Sequence, residues 1–247
     1  LLPLRRLRRL HPAQIADLVE AASHDEGEEI ISAVHSDPEL EADVFEELDI
    51  EHQVEFLRDR SDEDAAKVLA EMNADDAADL ITDLDQNRRA PILAKLPAPQ
   101  QAKVRALLSY NSESAGGLMS TDFVALPASK TAGDALAAIR AVDLLPQLVA
   151  DVFVTDSDSR LAGAVPISDL VRADPAASLG SLAEHGKVSV RPDDDFTEVA
   201  RRMADFNLTV APVVDGEDRL IGAITVDDVL EAMLPESWRR RADAAED

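Results

Sequence analysis

A seven-residue pattern recurs in the first half of this chain at a spacing of 24 residues, and that repeat limits what the segment can fold into. Ala42-Asp43-Val44-Phe45-Glu46-Glu47-Leu48 aligns with Ala66-Lys67-Val68-Leu69-Ala70-Glu71-Met72 and again with Ala90-Pro91-Ile92-Leu93-Ala94-Lys95-Leu96. A looser copy begins near Ala16. Apolar residues return at steps of three and four, as in Ile15, Leu18 and Val19, then Val44, Phe45 and Leu48, then Val68, Leu69 and Met72. That is the period of a helix with one buried face. Each unit reads as two short helices, for example 65–72 followed by 75–84, with Asn73 and Pro97 at the equivalent break. So small a unit cannot bury its apolar face alone, whereas stacked neighbours can. The pattern predicts a helical-repeat solenoid, right- or left-handed, over residues 1–109.

The register changes at Tyr110-Asn111-Ser112-Glu113-Ser114-Ala115-Gly116-Gly117, where the paired glycines are expected to end the helical run. Short β-rich segments then alternate with helical ones. A strand at 152–154, a turn at 156–159, a strand at 161–166 and a helix from Ser168 form one set. A strand at 210–214, a turn at 215–218, a strand at 220–225 and a helix from Asp227 form a second. Helices at 132–141 and 197–206 precede the two hairpins. The C-terminal half is therefore a tandem β-α-β-β-α repeat, and the chain belongs to the α + α/β multidomain class. Expected boundaries are 1–109 for the helical domain, 110–174 and 175–234 for the two β-α-β-β-α copies, and 235–247 for a C-terminal tail.

Charge narrows the function. The chain has 50 acidic and 24 basic side chains, a formal charge of −26. Residues 37–85 hold 19 of the acidic and 3 of the basic ones, a local net of −16. Such a surface repels itself and tightens when cations screen it. It is a poor partner for nucleic acid, whose phosphates require Lys and Arg. A solvated acidic face selected for solubility is the plainer explanation for any one of these carboxylates. There is no cysteine, which removes thiolate metal sites and thiol nucleophiles and fits a reducing, cytoplasmic setting. The uncharged stretch at 175–183 is nine residues long, far below the roughly 20 needed to span a bilayer. The five histidines, His11, His24, His35, His52 and His185, show no metal-ligand spacing, and Gly116-Gly117 lacks the rest of any phosphate-loop fingerprint, so no catalytic role is expected. Arg5-Arg6-Leu7-Arg8-Arg9 reads as a cationic lead-in to the acidic domain.

Thr209-Val210-Ala211-Pro212-Val213-Val214-Asp215 and Arg219-Leu220-Ile221-Gly222-Ala223-Ile224-Thr225-Val226-Asp227-Asp228-Val229-Leu230 resemble a CBS domain. Arg160-Leu161-Ala162-Gly163-Ala164-Val165 with Asp169-Leu170 resembles a first copy. Together with Asp75-Asp76-Ala77-Ala78-Asp79-Leu80 and Ala115-Gly116-Gly117-Leu118-Met119-Ser120-Thr121, the whole chain is similar to the cytosolic region of MgtE-type magnesium transporters. Its end resembles a soluble branch of that family lacking the channel. The resemblance implies a Mg²⁺ sensor in which carboxylates of the helical domain and of the second CBS domain share Mg²⁺. Carried over residue by residue, these are Asp43, Asp75 and Asp79 on the helical side and Asp195, Asp228 and Glu231 on the CBS side. Asp75 and Asp79 are four apart, and Asp228 and Glu231 three apart, so each pair shares a helix face. First-turn capping accounts for the Asp75 and Asp228 positions equally well. One acidic family position is Asn207 here.

The resemblance also implies a homodimer through the CBS domains and a membrane channel or other protein as partner. CBS pairs often bind ATP or another adenine nucleotide, holding ribose hydroxyls with an Asp at a helix start and a Ser or Thr three residues earlier. Thr225 and Asp228 fit that spacing. Asp169 is present in the first copy, but the residue three before it is Pro166. An adenine-nucleotide-binding CBS module with a protein-docking helical domain is thus the alternative to a Mg²⁺ sensor.

Overall fold

Capping chemistry sets the helix boundaries in the N-terminal half. The computed structural model describes residues 4–142, 144, 146–183 and 188–234. They fall into two units, one extending to Ser109 and the other running from Tyr110 to Met233. The first contains Leu4–Leu7 (α1), Pro12–Glu20 (α2), His24–Val34 (α3), Pro38–Glu47 (α4), Ile50–Arg58 (α5), Asp62–Glu71 (α6), Ala74–Asp83 (α7), Gln86–Lys95 (α8) and Ala98–Leu107 (α9). Asp49 and Ser61 accept the N–H groups of His52 and Asp64 at the starts of α5 and α6. Asn73 and Pro97, the residues marking the break in each repeat, stand at the N-caps of α7 and α9. Helices α2, α4, α6 and α8 pack in succession, as do α5, α7 and α9. Each repeat therefore adds one helix to each of two rows, as expected of a solenoid. Val44, Phe45, Leu48, Val68, Leu69 and Met72 are all buried between the rows. Leu18, by contrast, is 42% exposed.

Side chains from one helix finish the open ends of another. The last carbonyls of a helix have no partner within it. Gln53 Nε2 donates to the carbonyls of Phe45 (2.6 Å) and Leu48 (2.9 Å), Gln100 Nε2 to that of Met72 (2.8 Å), and Gln101 Nε2 to that of Leu93. Arg88 on α8 reaches back to the end of α5, donating to the carbonyls of Leu57 (2.7 Å), Arg58 (3.2 Å) and Arg60 (2.7 Å) and pairing with Asp62 at 2.9 Å. Several acids of the negative stretch are thereby structural. Glu41 is buried and held by Arg60 (2.7 Å) and His35 (3.0 Å), while Asp37 pairs with Arg8 at 2.7 Å.

The paired glycines play a different part from the one their sequence suggests. The helical run already ends with α9, and Gly116 and Gly117 lie inside a short helix, Ala115–Leu118 (α10), neither at positive φ. A Cβ at Gly116 would come within 2.6 Å of the Tyr110 ring, and one at Gly117 within 2.5 Å of the Asn111 carbonyl oxygen. Close approach of backbone, not a turn, is what requires glycine here.

The second unit carries the predicted tandem. Its first copy consists of Ala125–Pro127 (β1), Ala132–Ala141 (α11), Asp151–Thr155 (β2), Leu161–Pro166 (β3) and Ile167–Arg172 (α12). After Leu179–Leu182 (α13), the second consists of Phe196–Phe206 (α14), Val210–Val214 (β4), Leu220–Thr225 (β5) and Val226–Met233 (α15). β1 runs parallel to β2, and both hairpins are antiparallel. In the second copy the strand equivalent to β1 is reduced to a single parallel bridge, Val190 to Val213. Both hairpin turns use the same chemistry. Asp156 accepts the N–H groups of Asp158 and Arg160, and Asp215 those of Glu217 and Arg219. Ser159 and Asp218 take the left-handed conformation. The tips are joined by Leu161 N–H to Asp218 O (3.0 Å) and Leu220 N–H to Ser159 O (3.2 Å). Leu148, Phe153 and Leu161 of the first copy and Val210, Val214 and Ala223 of the second form one shared core.

Candidate functional site

The carboxylates singled out from sequence divide between the units. On the helical unit, Asp43 is exposed on α4, Asp75 is half-buried in the first turn of α7, and Asp79 is exposed one turn later on the same helix. Glu46, one turn beyond Asp43, ties α4 to α7. Its Oε1 accepts the Asn73 backbone N–H at 2.5 Å and its Oε2 accepts Asn73 Nδ2 at 3.0 Å. Burial pushes the Glu46 carboxyl up to about 7, with Asp43 and Glu47 adding to the rise and the Asn73 bonds opposing it.

On the second unit, Asp195 is the N-cap of α14 and accepts the Glu198 N–H at 3.0 Å. Asp228 and Glu231 lie on α15, which packs against α14. Asp228 closes a reciprocal cap with buried Thr225. Its Oδ2 accepts Thr225 Oγ1–H at 2.7 Å and Thr225 N–H at 3.1 Å, while Asp228 N–H reaches Thr225 Oγ1 at 3.4 Å. This is the capping-box arrangement. Burial raises the Asp228 carboxyl above the ordinary range against those bonds. The first copy is built otherwise. Pro166 is the N-cap of α12 and supplies no side-chain bond, while Asp169 pairs with Arg172 at 3.5 Å. Asn207 ends α14 in the left-handed conformation, φ 53°, a place where Asn is at home.

All six predicted metal positions offer carboxylate oxygen, the donor that hard Mg²⁺ prefers, so the residues fit the ion. Among the described residues, however, no three of them converge within a unit. Among the described residues, a trio whose donor atoms all lie within 4.8 Å of one another is formed by Glu20, Asp49 and His52. Sequence reading missed it because Glu20 lies more than one repeat away from the other two. The only local signal was Asp49 and His52, three apart on one helix. Trp238, His185 and the tail from Pro235 fall outside the described residues. No described helix is long and apolar enough to cross a membrane.

Comparison with known proteins follows the same division. The MgtE intracellular N domain matches residues 10–113, and the CBS domain matches residues 115–176 and 180–235. The magnesium transporter MgtE of Thermus thermophilus is 39% identical over 137 residues, which cover 56% of this chain and 30% of that protein. The MgtE of Enterococcus faecalis is 31% identical over 134 residues, covering 54% and 30%. The chain thus spans about a third of the length of these relatives. Among solved structures, the cytosolic domain of the Mg²⁺ channel MgtE in complex with ATP superposes with a TM-score of 0.85 at 30% identity, covering 93% of each chain. The soluble part of a magnesium transporter gives 0.76 at 26% identity, covering 93% of this chain and 94% of that one.

Proposed function

Because this chain belongs to the family of MgtE cytosolic regions, an MgtE intracellular N domain followed by a CBS pair, we propose that it is a cytosolic Mg²⁺-responsive regulatory module. The observation that supports this most is the set of carboxylates standing on helix faces and helix starts of both units: Asp43, Asp75 and Asp79 on one, Asp195, Asp228 and Glu231 on the other. Two surfaces of like charge repel until a divalent ion lies between them. Mg²⁺ keeps much of its water and needs only one or two carboxylates from each side. An ion with differential affinity for the docked state shifts the population toward it. The partner that reads this change is a membrane channel, on the same or another chain, or another protein.

The module works as a homodimer. Val171, Phe206, Leu230 and Met233, on α12, α14 and α15, are 50–69% exposed, large apolar side chains that a dimer would cover. X-ray scattering with Mg²⁺ is expected to give a smaller radius than with chelator, at a mass twice that of the chain. Asp75→Asn with Asp79→Asn should remove the difference. Equal compaction of the double variant, or compaction by monovalent salt at the same ionic strength, would refute the sensor.

A second reading has its own support. Thr225 and Asp228 supply the hydroxyl and carboxylate at one helix start, and the structural relative was solved with ATP. One adenine-nucleotide site per chain is expected in calorimetry, because Pro166 and Asp169 give no such pair in the first copy. Two equal sites per chain would overturn it.

A further inference from the structure

The corner where α2 ends and α5 begins holds a group that the Mg²⁺ reading does not use. Glu20 is the last residue of α2, Asp49 the N-cap of α5, and His52 sits in the first turn of α5. Glu20 Oε1 accepts the Asp49 N–H at 2.9 Å. Asp49 Oδ1 accepts the His52 N–H at 2.9 Å, and both Asp49 oxygens lie 2.9 Å from His52 Nδ1. All three side chains are half-buried, with donor atoms within 4.8 Å of one another.

The following repeat shows why this corner is unusual. There Asn73 occupies the place of Asp49 and Glu46 plays the part of Glu20, and the Asn73 amide donates to the second oxygen of Glu46. Asp49 has no amide to give. Two carboxylates therefore meet at a partly desolvated corner beside the His52 imidazole, with the charge of Asp17 also near Glu20. Burial and the Asp49 charge push the Glu20 carboxyl up, against the Asp49 N–H bond. The other histidines of the unit are placed differently. Glu55 and Glu28 approach opposite ring nitrogens of His24, at 3.4 and 3.6 Å, so one ion cannot serve both. The carboxylate facing His35 already holds Arg60.

We propose that Glu20, Asp49 and His52 form a binding site for a transition-metal dication of the zinc class, lying wholly within the helical unit. Two carboxylates and a neutral imidazole offset the charge of one dication, which takes the place of the proton on the His52 nitrogen it binds. A nitrogen donor suits Zn²⁺, Co²⁺ or Ni²⁺ and disfavours Mg²⁺, which prefers oxygen throughout. Three protein ligands leave a fourth position for water. None of these residues is among the six proposed for Mg²⁺, so the two readings stand or fall separately.

The test is calorimetric titration of the chelator-stripped full chain with Zn²⁺ in a millimolar Mg²⁺ background, paralleled by Co²⁺ absorption spectra. One equivalent per chain is expected, with Co²⁺ bands that report nitrogen ligation. Glu20→Gln, Asp49→Asn and His52→Gln should each weaken binding by about tenfold or more, while His24→Gln leaves it unchanged. Asp49→Asn keeps the N-cap and gives Glu20 the amide found in the next repeat, so loss of binding in that variant is not unfolding. Absence of binding to the parent chain, binding unaltered by Asp49→Asn, binding that follows His24, or displacement by millimolar Mg²⁺ would each overturn the site.

Discussion

Arg88→Met is expected to destabilise the helical unit by about 2 kcal/mol, below the range for a fully buried charge pair because Asp62 is 33% exposed. Arg88 is only 16% exposed at its side chain. Methionine keeps much of the apolar stem and deletes the head. The carbonyls of Leu57, Arg58 and Arg60 then lose the guanidinium, Leu57 keeping the Arg60 backbone N–H, and Asp62 loses its cation. Arg88→Lys should recover only part of the loss, because one ammonium cannot fork to several carbonyls. The comparison is Arg201, which pairs with Glu198 and Asp205 but is 60% exposed. Its removal should cost far less, since solvent screens so exposed a pair. Urea unfolding with an unchanged slope reads both. Equal effects at the two positions would mean that the cross-repeat bonds contribute nothing beyond an ordinary surface pair.

The second large effect is a pH dependence set by Glu46. Its carboxyl is raised from 4.5 to about 7 in the folded chain, first by burial. The native state therefore holds a proton that the unfolded state has released between those values. Stability is highest below about 4.5 as far as this group is concerned, falls as pH rises toward 7, and is level above. The interval corresponds to a contribution on the order of 3 kcal/mol. Glu46→Gln carries no titrating group, and Asn73 can turn its amide to present oxygen to the new NH₂. The difference in stability between the parent and Glu46→Gln should thus change by about that amount between pH 5 and pH 8, in favour of the variant at the higher pH. A constant difference across the range would show that the Glu46 carboxyl is not raised.

Much of this architecture could be read before any coordinates. Periodicity of three and four located the helices, since burial of Val44, Phe45 and Leu48 and their counterparts is what makes the repeat fold. Asn73 and Pro97 marked the breaks that precede α7 and α9, where they stand at the N-caps without bonding the helix through their side chains. The hairpins were equally legible, each turn opening on an Asp that binds its own backbone. What stayed hidden depends on residues one repeat or more apart. Arg88 bonded to Leu57, Glu46 to Asn73 and Glu20 to Asp49 are pairs 27–31 positions apart, and no local pattern signals them. The glycine pair was misread for a related reason. Its meaning lies in the Tyr110 ring and the Asn111 carbonyl pressed against it, whereas sequence displays only its freedom to turn. The six carboxylates were chosen by resemblance, and two of them, Asp195 and Asp228, also serve as helix caps.

The period of 24 makes the helical unit editable in whole steps. Excising residues 49–72 joins Leu48 to Asn73, so that Asn73 takes the seat of Asp49 while the stacking of the rows is kept. Glu20 would then find the side-chain amide that its own neighbour lacks, and the corner with two facing carboxylates would vanish with the deleted segment. Arg60 leaves with the same segment and Pro97 offers Glu46 no donor, so an arm one repeat shorter should fold once Glu41 and Glu46 are made uncharged, and it should be indifferent to zinc.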